Sequence, residues 1–162
     1  GFVRRATDLI DWARPSSSSA GADSPNPPWR TMNVERATFR GVESSVEAGL
    51  GSALLRAEAA ALAVDAGIDP LFASKYALRP LTRTAALQLR LPLGQGVDAA
   101  VRGSHARRDD DSWNLLDARL SFRRSGVHIF ADATNLAGEK YTDIIGQPAP
   151  GRALALGLRL SR

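Results

Sequence analysis

Apolar and polar residues alternate with a period of two along much of this chain, most clearly near its end. Over residues 152–161, Leu154, Leu156, Leu158 and Leu160 fall on one side of an extended backbone, and Ala153, Ala155, Gly157, Arg159 and Ser161 on the other. The same two-sidedness sets Leu81, Ala85, Leu87, Leu89 and Leu91 against Thr82, Thr84, Ala86, Gln88 and Arg90. Further on, Leu116, Ala118, Leu120 and Phe122 oppose Asp117, Arg119 and Ser121, and Val127, Ile129 and Ala131 oppose His128 and Asp132. Eight strands are predicted, over 2–12, 32–48, 53–64, 78–91, 96–106, 112–122, 127–134 and 152–161. The second alternates poorly. The third is rich in Ala and Leu, both good helix formers, and reads as readily as a helix; pairing with neighbouring strands decides for a strand.

The connections differ in length. Those at 49–52, 92–95 and 123–126 are tight and carry glycine where a positive φ is useful. Those at 13–31, 66–77, 107–111 and 135–151 are mostly longer and polar or proline-rich. Short turns at one end and long loops at the other are the asymmetry of a transmembrane β-barrel, in which one face meets lipid and the other a water-filled lumen. Strands of roughly 9–11 residues suffice to cross a bilayer. Arg83 interrupts the apolar face of the fourth segment. A charge there costs about 2–4 kcal/mol at mid-membrane and little at the rim, so Arg83 is expected toward the outer rim. No apolar run is long enough for a membrane-spanning helix, which says nothing against strands.

Asn135-Leu136, Lys140-Tyr141, then Ile145-Gly146-Gln147-Pro148 and Pro150-Gly151-Arg152 resemble the ending of TonB-dependent outer-membrane receptors, just before the last barrel strand. Asp8-Leu9-Ile10-Asp11-Trp12, followed after a polar loop by Asn33-Val34, Ala37 and Gly41-Val42-Glu43, resembles an earlier hairpin of the same barrels. The resemblance implies an all-β fold: about eight consecutive C-terminal strands, spanning residues 1–162, of an antiparallel transmembrane β-barrel of the 22-stranded type. It also implies a place in the bacterial cell outer membrane and uptake of a ferric siderophore or cobalamin, energised by the TonB complex. The partners implied are outer-membrane lipid, that ligand and, through an N-terminal part carrying the plug and the TonB-contacting segment, the TonB complex. This stretch would supply barrel wall and capture loops, with no cofactor and no chemistry of its own. The chain opens without an initiator Met, as if in mid-strand, and ends on Ser161-Arg162 where the family usually ends on an aromatic residue. Both features suggest a fragment.

Composition alters this picture little. The chain has 162 residues, no cysteine and a net charge of +4, with Arg supplying all the positive residues except Lys75 and Lys140. The arginines are scattered and form no stripe, which argues against a nucleic-acid partner. His105 and His128 have no metal-ligand spacing, and no nucleophile–base pair marks an enzyme. Asp109-Asp110-Asp111 lacks the spacing and glycine of a calcium loop and reads as a solvated acidic tip. Residues 16–19 read as a flexible loop. Trp12, Trp29, Trp113 and Tyr141 lie near the long-loop ends of segments as candidates for membrane-interface or ligand contact; a girdle role is expected for Trp12 and Trp113. Two other architectures compete. One is a self-closed eight-stranded barrel acting as an anchor or adhesin, although its inward set would mix unpaired charges with Ala86, Ala100 and Gly157. The other is a soluble Arg-rich nucleic-acid binder built around the third segment.

Overall fold

The computed structural model describes residues 1–15, 27–66, 72–75, 79–144 and 147–161, without the side chain of Glu35. The expected loop at 16–19, the start of the fourth segment at Leu78, Ile145-Gly146 of the motif and Arg162 lie outside the described residues. The strands are β1 (Phe2–Pro15), β2 (Arg30–Leu50), β3 (Ala53–Ala66), β4 (Phe72–Ser74), β5 (Arg83–Gly94) and β6 (Val97–Arg108). They continue with β7 (Asp111–Arg124), β8 (Val127–Thr134), β9 (Thr142–Ile144), β10 (Gln147–Pro148) and β11 (Ala153–Leu160). Nine form one antiparallel sheet in the order β11-β8-β7-β6-β5-β3-β2-β1-β4, and β9 and β10 make a separate ribbon. No helix occurs among the described residues. The third segment is a strand of 14 residues despite its helix propensity, because it is hydrogen-bonded to β2 on one side and β5 on the other.

The sheet is open. β11 forms one edge and β4 the other, and β1 does not meet β11. The self-closed arrangement, which needs the first and last strands to pair, is therefore not formed.

Register explains why the two faces differ. One row crosses seven strands through Ala48, Leu55, Leu89, Val101, Ala118, Ala133 and Leu154, all apolar. The adjacent row, one residue along each strand and so on the opposite face, runs Glu47, Arg56, Gln88, Arg102 and Asp117. The sheet is a single layer, so neither face has a partner layer among the described residues. Leu154, Leu156 and Leu160 are 72%, 78% and 71% exposed. The buried apolar side chains among the described residues are only Ala13, Val34, Ala37 and Trp113. Exposed apolar surface on this scale marks a face that meets another protein surface or a membrane.

The poor alternation of β1 and β2 has a local cause. Asp8 takes a left-handed φ of 55° while pairing continues in the same register on either side. Before it the shielded pair is Ala6 and Ala37; after it, Leu9, Asp11 and Ala13 face inward with Val34. The buried side thus passes from even to odd positions of β1.

The β5–β6 and β7–β8 hairpins turn through Gln95-Gly96 and Ser125-Gly126, with φ of 52°, 79°, 46° and 80°. Two successive positive φ values give the turn whose twist suits a tight hairpin. β5 continues through a bulge between Pro92 and Gly94, so its turn begins later than predicted. The connection at 107–111 is a correction. It is not a long loop but a tight hairpin, with β6 and β7 paired up to Arg108↔Asp111. Asp109 adopts φ 51°, a conformation Asp tolerates, so the acidic run makes the turn itself. The long connections are those after β1, β3 and β8.

At Gly157 the ring of Phe130, its cross-strand partner, occupies the space where a Cβ would sit. Gly157→Val is expected to cost about 1–3 kcal/mol by overpacking, read as a lowered urea midpoint. In a Phe130→Ala background the same change should cost much less. Equal costs in both backgrounds would mean that the ring does not set the requirement for glycine.

Candidate functional site

The polar face carries charges whose spacing follows from strand register. Arg119 on β7 lies opposite Asp132 on β8. Arg119 Nε and Nη2 donate to Asp132 Oδ1 and Oδ2 at 2.5 and 2.7 Å, a two-pronged pair with planar geometry. The guanidinium also lies 4.7 Å from the Phe130 ring centroid. Glu58 on β3 takes Arg56 Nη2 at 2.6 Å through one oxygen and meets Arg102 Nη2 at 4.0 Å through the other. Arg90 Nη2 and Asp98 Oδ2 are 3.8 Å apart across β5 and β6. The expectation of unpaired charges on this face is corrected at these positions. Period-two reading had placed Arg119 and Asp132 on the polar sides of their strands, but not beside one another.

At the long-connection end this face forms a hollow of about 580 Å³, within the size range of ligand sites. Glu43, Glu58 and Arg102 line its wall, and Trp113, Tyr141 and Asp143 lie at its mouth. Trp113 and Tyr141 stack with centroids 5.1 Å apart and planes 19° from parallel. Arg108, next along the polar face from Trp113's partner Ala106, sets its guanidinium 5.8 Å from the indole. Arg108 Nη2 also pairs with Asp143 Oδ1 at 3.3 Å, and Nη1 donates to the Asp143 carbonyl. Segment 141–144 is thereby held over the sheet.

Trp113 is 5% exposed and points to the polar face. The girdle role expected for Trp113 would need its ring on the apolar face, whereas the ring lies on the polar one. Trp113 and Tyr141 come together; Trp12 and Trp29 lie elsewhere, at the β1 edge. Trp12 is 46% exposed and shares its side of β1 with Ile10, which is 72% exposed. The Trp12 carbonyl accepts the Lys75 N–H at 2.8 Å. Trp29 packs 4.5 Å from the Arg14 guanidinium and 5.6 Å from the Lys75 ammonium.

The motif around Asn135 has a structural role that sequence reasoning had left unexplained. Asn135, 4% exposed with φ 51°, donates through Nδ2 to the Glu139 and Pro150 carbonyls at 2.9 and 3.3 Å. Its Oδ1 accepts the Glu139 N–H at 2.8 Å, and its own N–H donates to Asp117 Oδ1 at 2.9 Å. Arg152 Nη2 donates to the Ala137 carbonyl at 3.3 Å. The Asn135 side chain thus draws both ends of the 135–151 connection together, and its backbone N–H ties the connection to β7 through Asp117. Sequence reasoning did not single out Glu58, Arg102, Arg108 or Asp143. The first three share Trp113's face only through strand register, which the sequence does not state, and Asp143 reaches the site only through the fold of its loop.

Asp109 pairs with Arg79, Nη2 to Oδ2, at 2.6 Å. No group of three His, Cys, Asp or Glu side chains among the described residues could hold a metal ion. The arrangement suits non-covalent binding: stacked rings beside fixed charges over a solvated hollow. No protein-family model, curated protein or solved structure matches the chain.

Proposed function

We propose that the chain forms part of the wall of an outer-membrane β-barrel of the TonB-dependent receptor type. In this reading the apolar face meets lipid, the polar face lines the lumen, and the hollow under Trp113 and Tyr141 lies in the path of a ferric siderophore or cobalamin. The observation that carries the reading is the uninterrupted apolar row from Ala48 to Leu154 on the opposite side from the Glu47–Arg56–Gln88–Arg102–Asp117 row, with no layer covering either. Strands β3, β5, β6 and β7, at 12–14 residues, have the length to cross hydrocarbon on a tilt. The open edges support a sheet completed by further strands, since an exposed strand edge templates aggregation. The motif at 135–152 supports the family, and its hydrogen bonds supply a physical reason for residues at those spacings.

The chain has no cysteine, so single cysteines report cleanly. In native membranes, Ala155→Cys is expected to react with a water-soluble maleimide and Leu156→Cys only with a lipid-soluble one. Equal labelling of both by the water-soluble reagent would refute the wall. Transport is tested separately, as uptake of ferric siderophore or cobalamin by cells with and without the gene. Uptake should require the gene and stop when the proton-motive force is dissipated.

A further inference from the structure

We propose that the apolar face carries a binding site for the phosphate of an anionic lipid headgroup, built from Arg40, Arg83 and Arg107 at the long-connection end. The proposal rests on the membrane-wall reading above. Arg83 and Arg107 are direct cross-strand partners on β5 and β6, both exposed. Arg83 pairs on its other side with Ala61 of β3, and Ala61 with Val42 of β2, which puts Arg40 one rung further toward the same end and on the same face. Like charges directly opposite one another in a sheet are destabilising unless an anion lies between them. Among the described residues no carboxylate lies within ion-pair distance of Arg40 or Arg83. Arg107 donates through Nε to the Asp109 carbonyl at 3.0 Å, which steadies it without neutralising it.

The three guanidiniums border a shallow hollow of about 670 Å³ floored by Val42, Ala61 and Ala63. Two carboxylates are near. Asp109 lines the hollow but is engaged by Arg79, and Asp65 stands on the same face of β3 beyond Ala63. The rung below the arginines holds Ala59 and Ala85 beside His105 and Asn114, whose side chains are 3.0 Å apart, and the face then becomes apolar through Ala57, Leu87 and Leu116. At the short-turn end of this face Arg124 is the one charged side chain among the described residues. The cluster of cations therefore marks one boundary of the apolar band, and a single cation the other. A guanidinium fork binds phosphate oxygens in two-pronged fashion, and the small side chains of the floor leave room for the glycerol or sugar that carries the phosphate.

The test uses the full-length protein, extracted from its membrane and reconstituted in phosphatidylcholine vesicles, with spin-labelled phosphatidic acid as the probe. The unmodified protein should prefer phosphatidic acid over phosphatidylcholine, and the preference should weaken as salt is raised. Arg83→Gln should lower the preference about fivefold, corresponding to about 1 kcal/mol per cation at an anionic surface, and Arg83→Gln/Arg107→Gln should lower it further. Arg124→Gln should leave it unchanged. A preference that ignores salt or survives the double substitution overturns the site. If the cysteine labelling marks a membrane wall and no preference for phosphatidic acid is seen, the site falls and the wall stands. If the protein does not enter vesicles at all, both fall.

Discussion

Leu156→Arg is expected to cost about 2–4 kcal/mol of stability in the membrane, the cost of a cation on the lipid face near the midplane. Leu156 lies near the middle of β11, is 78% exposed and pairs with Ala131, which pairs in turn with Leu120. A charge there has no aqueous route within its own row. Ala155→Arg, one residue earlier and on the polar face beside Asp132, should change stability by no more than about 0.5 kcal/mol. Urea unfolding from lipid vesicles measures both. In a water-soluble sheet the order would differ, since replacing a highly exposed leucine by arginine is neutral or helpful to solubility. Equal costs for the two variants would therefore remove the physical basis for a lipid-facing side.

Asn135→Ala is expected to cost about 2–4 kcal/mol, from three side-chain hydrogen bonds at about 0.5–1.5 kcal/mol each together with alanine's poorer fit to a positive φ. The Glu139 N–H and the Glu139 and Pro150 carbonyls would each lose a partner at a position only 4% exposed. Asn135→Gly separates the two contributions, because glycine accepts the φ of 51° while losing the same hydrogen bonds. The loss should be accompanied by faster proteolysis within 136–151, since the neck that joins the start of this connection to Pro150 would open. A cost near that of an ordinary surface substitution, with cleavage unchanged, would mean that the motif does not hold the loop.

These two positions also show how differently the fold and the site could be read. The pleat sends neighbouring side chains to opposite faces, so a repeat of two in Leu154 to Leu160 determines a two-faced strand whatever surrounds it. That is why β8 has the predicted bounds 127–134 and why β7 and β11 differ from theirs by no more than two residues at either end. The third segment required more, because its local preference is helical and only hydrogen bonding to β2 and β5 makes it extended. The short strands β4, β9 and β10 were not foreseen, because strands of two or three residues are too brief to show a period.

The sequence by itself determined the clearly alternating strands β7, β8 and β11 with their two faces, most of the tight turns and the division between an apolar and a charged side, because each depends on residues adjacent along the chain. Only the tertiary structure decided that Trp113 turns away from the apolar face to stack on Tyr141, that Arg108 reaches Asp143, that Arg83 stands beside Arg107, and that β1 changes its buried side at Asp8. Each of those outcomes depends on which distant segment pairs at which register, or on a single backbone angle, and local periodicity contains neither.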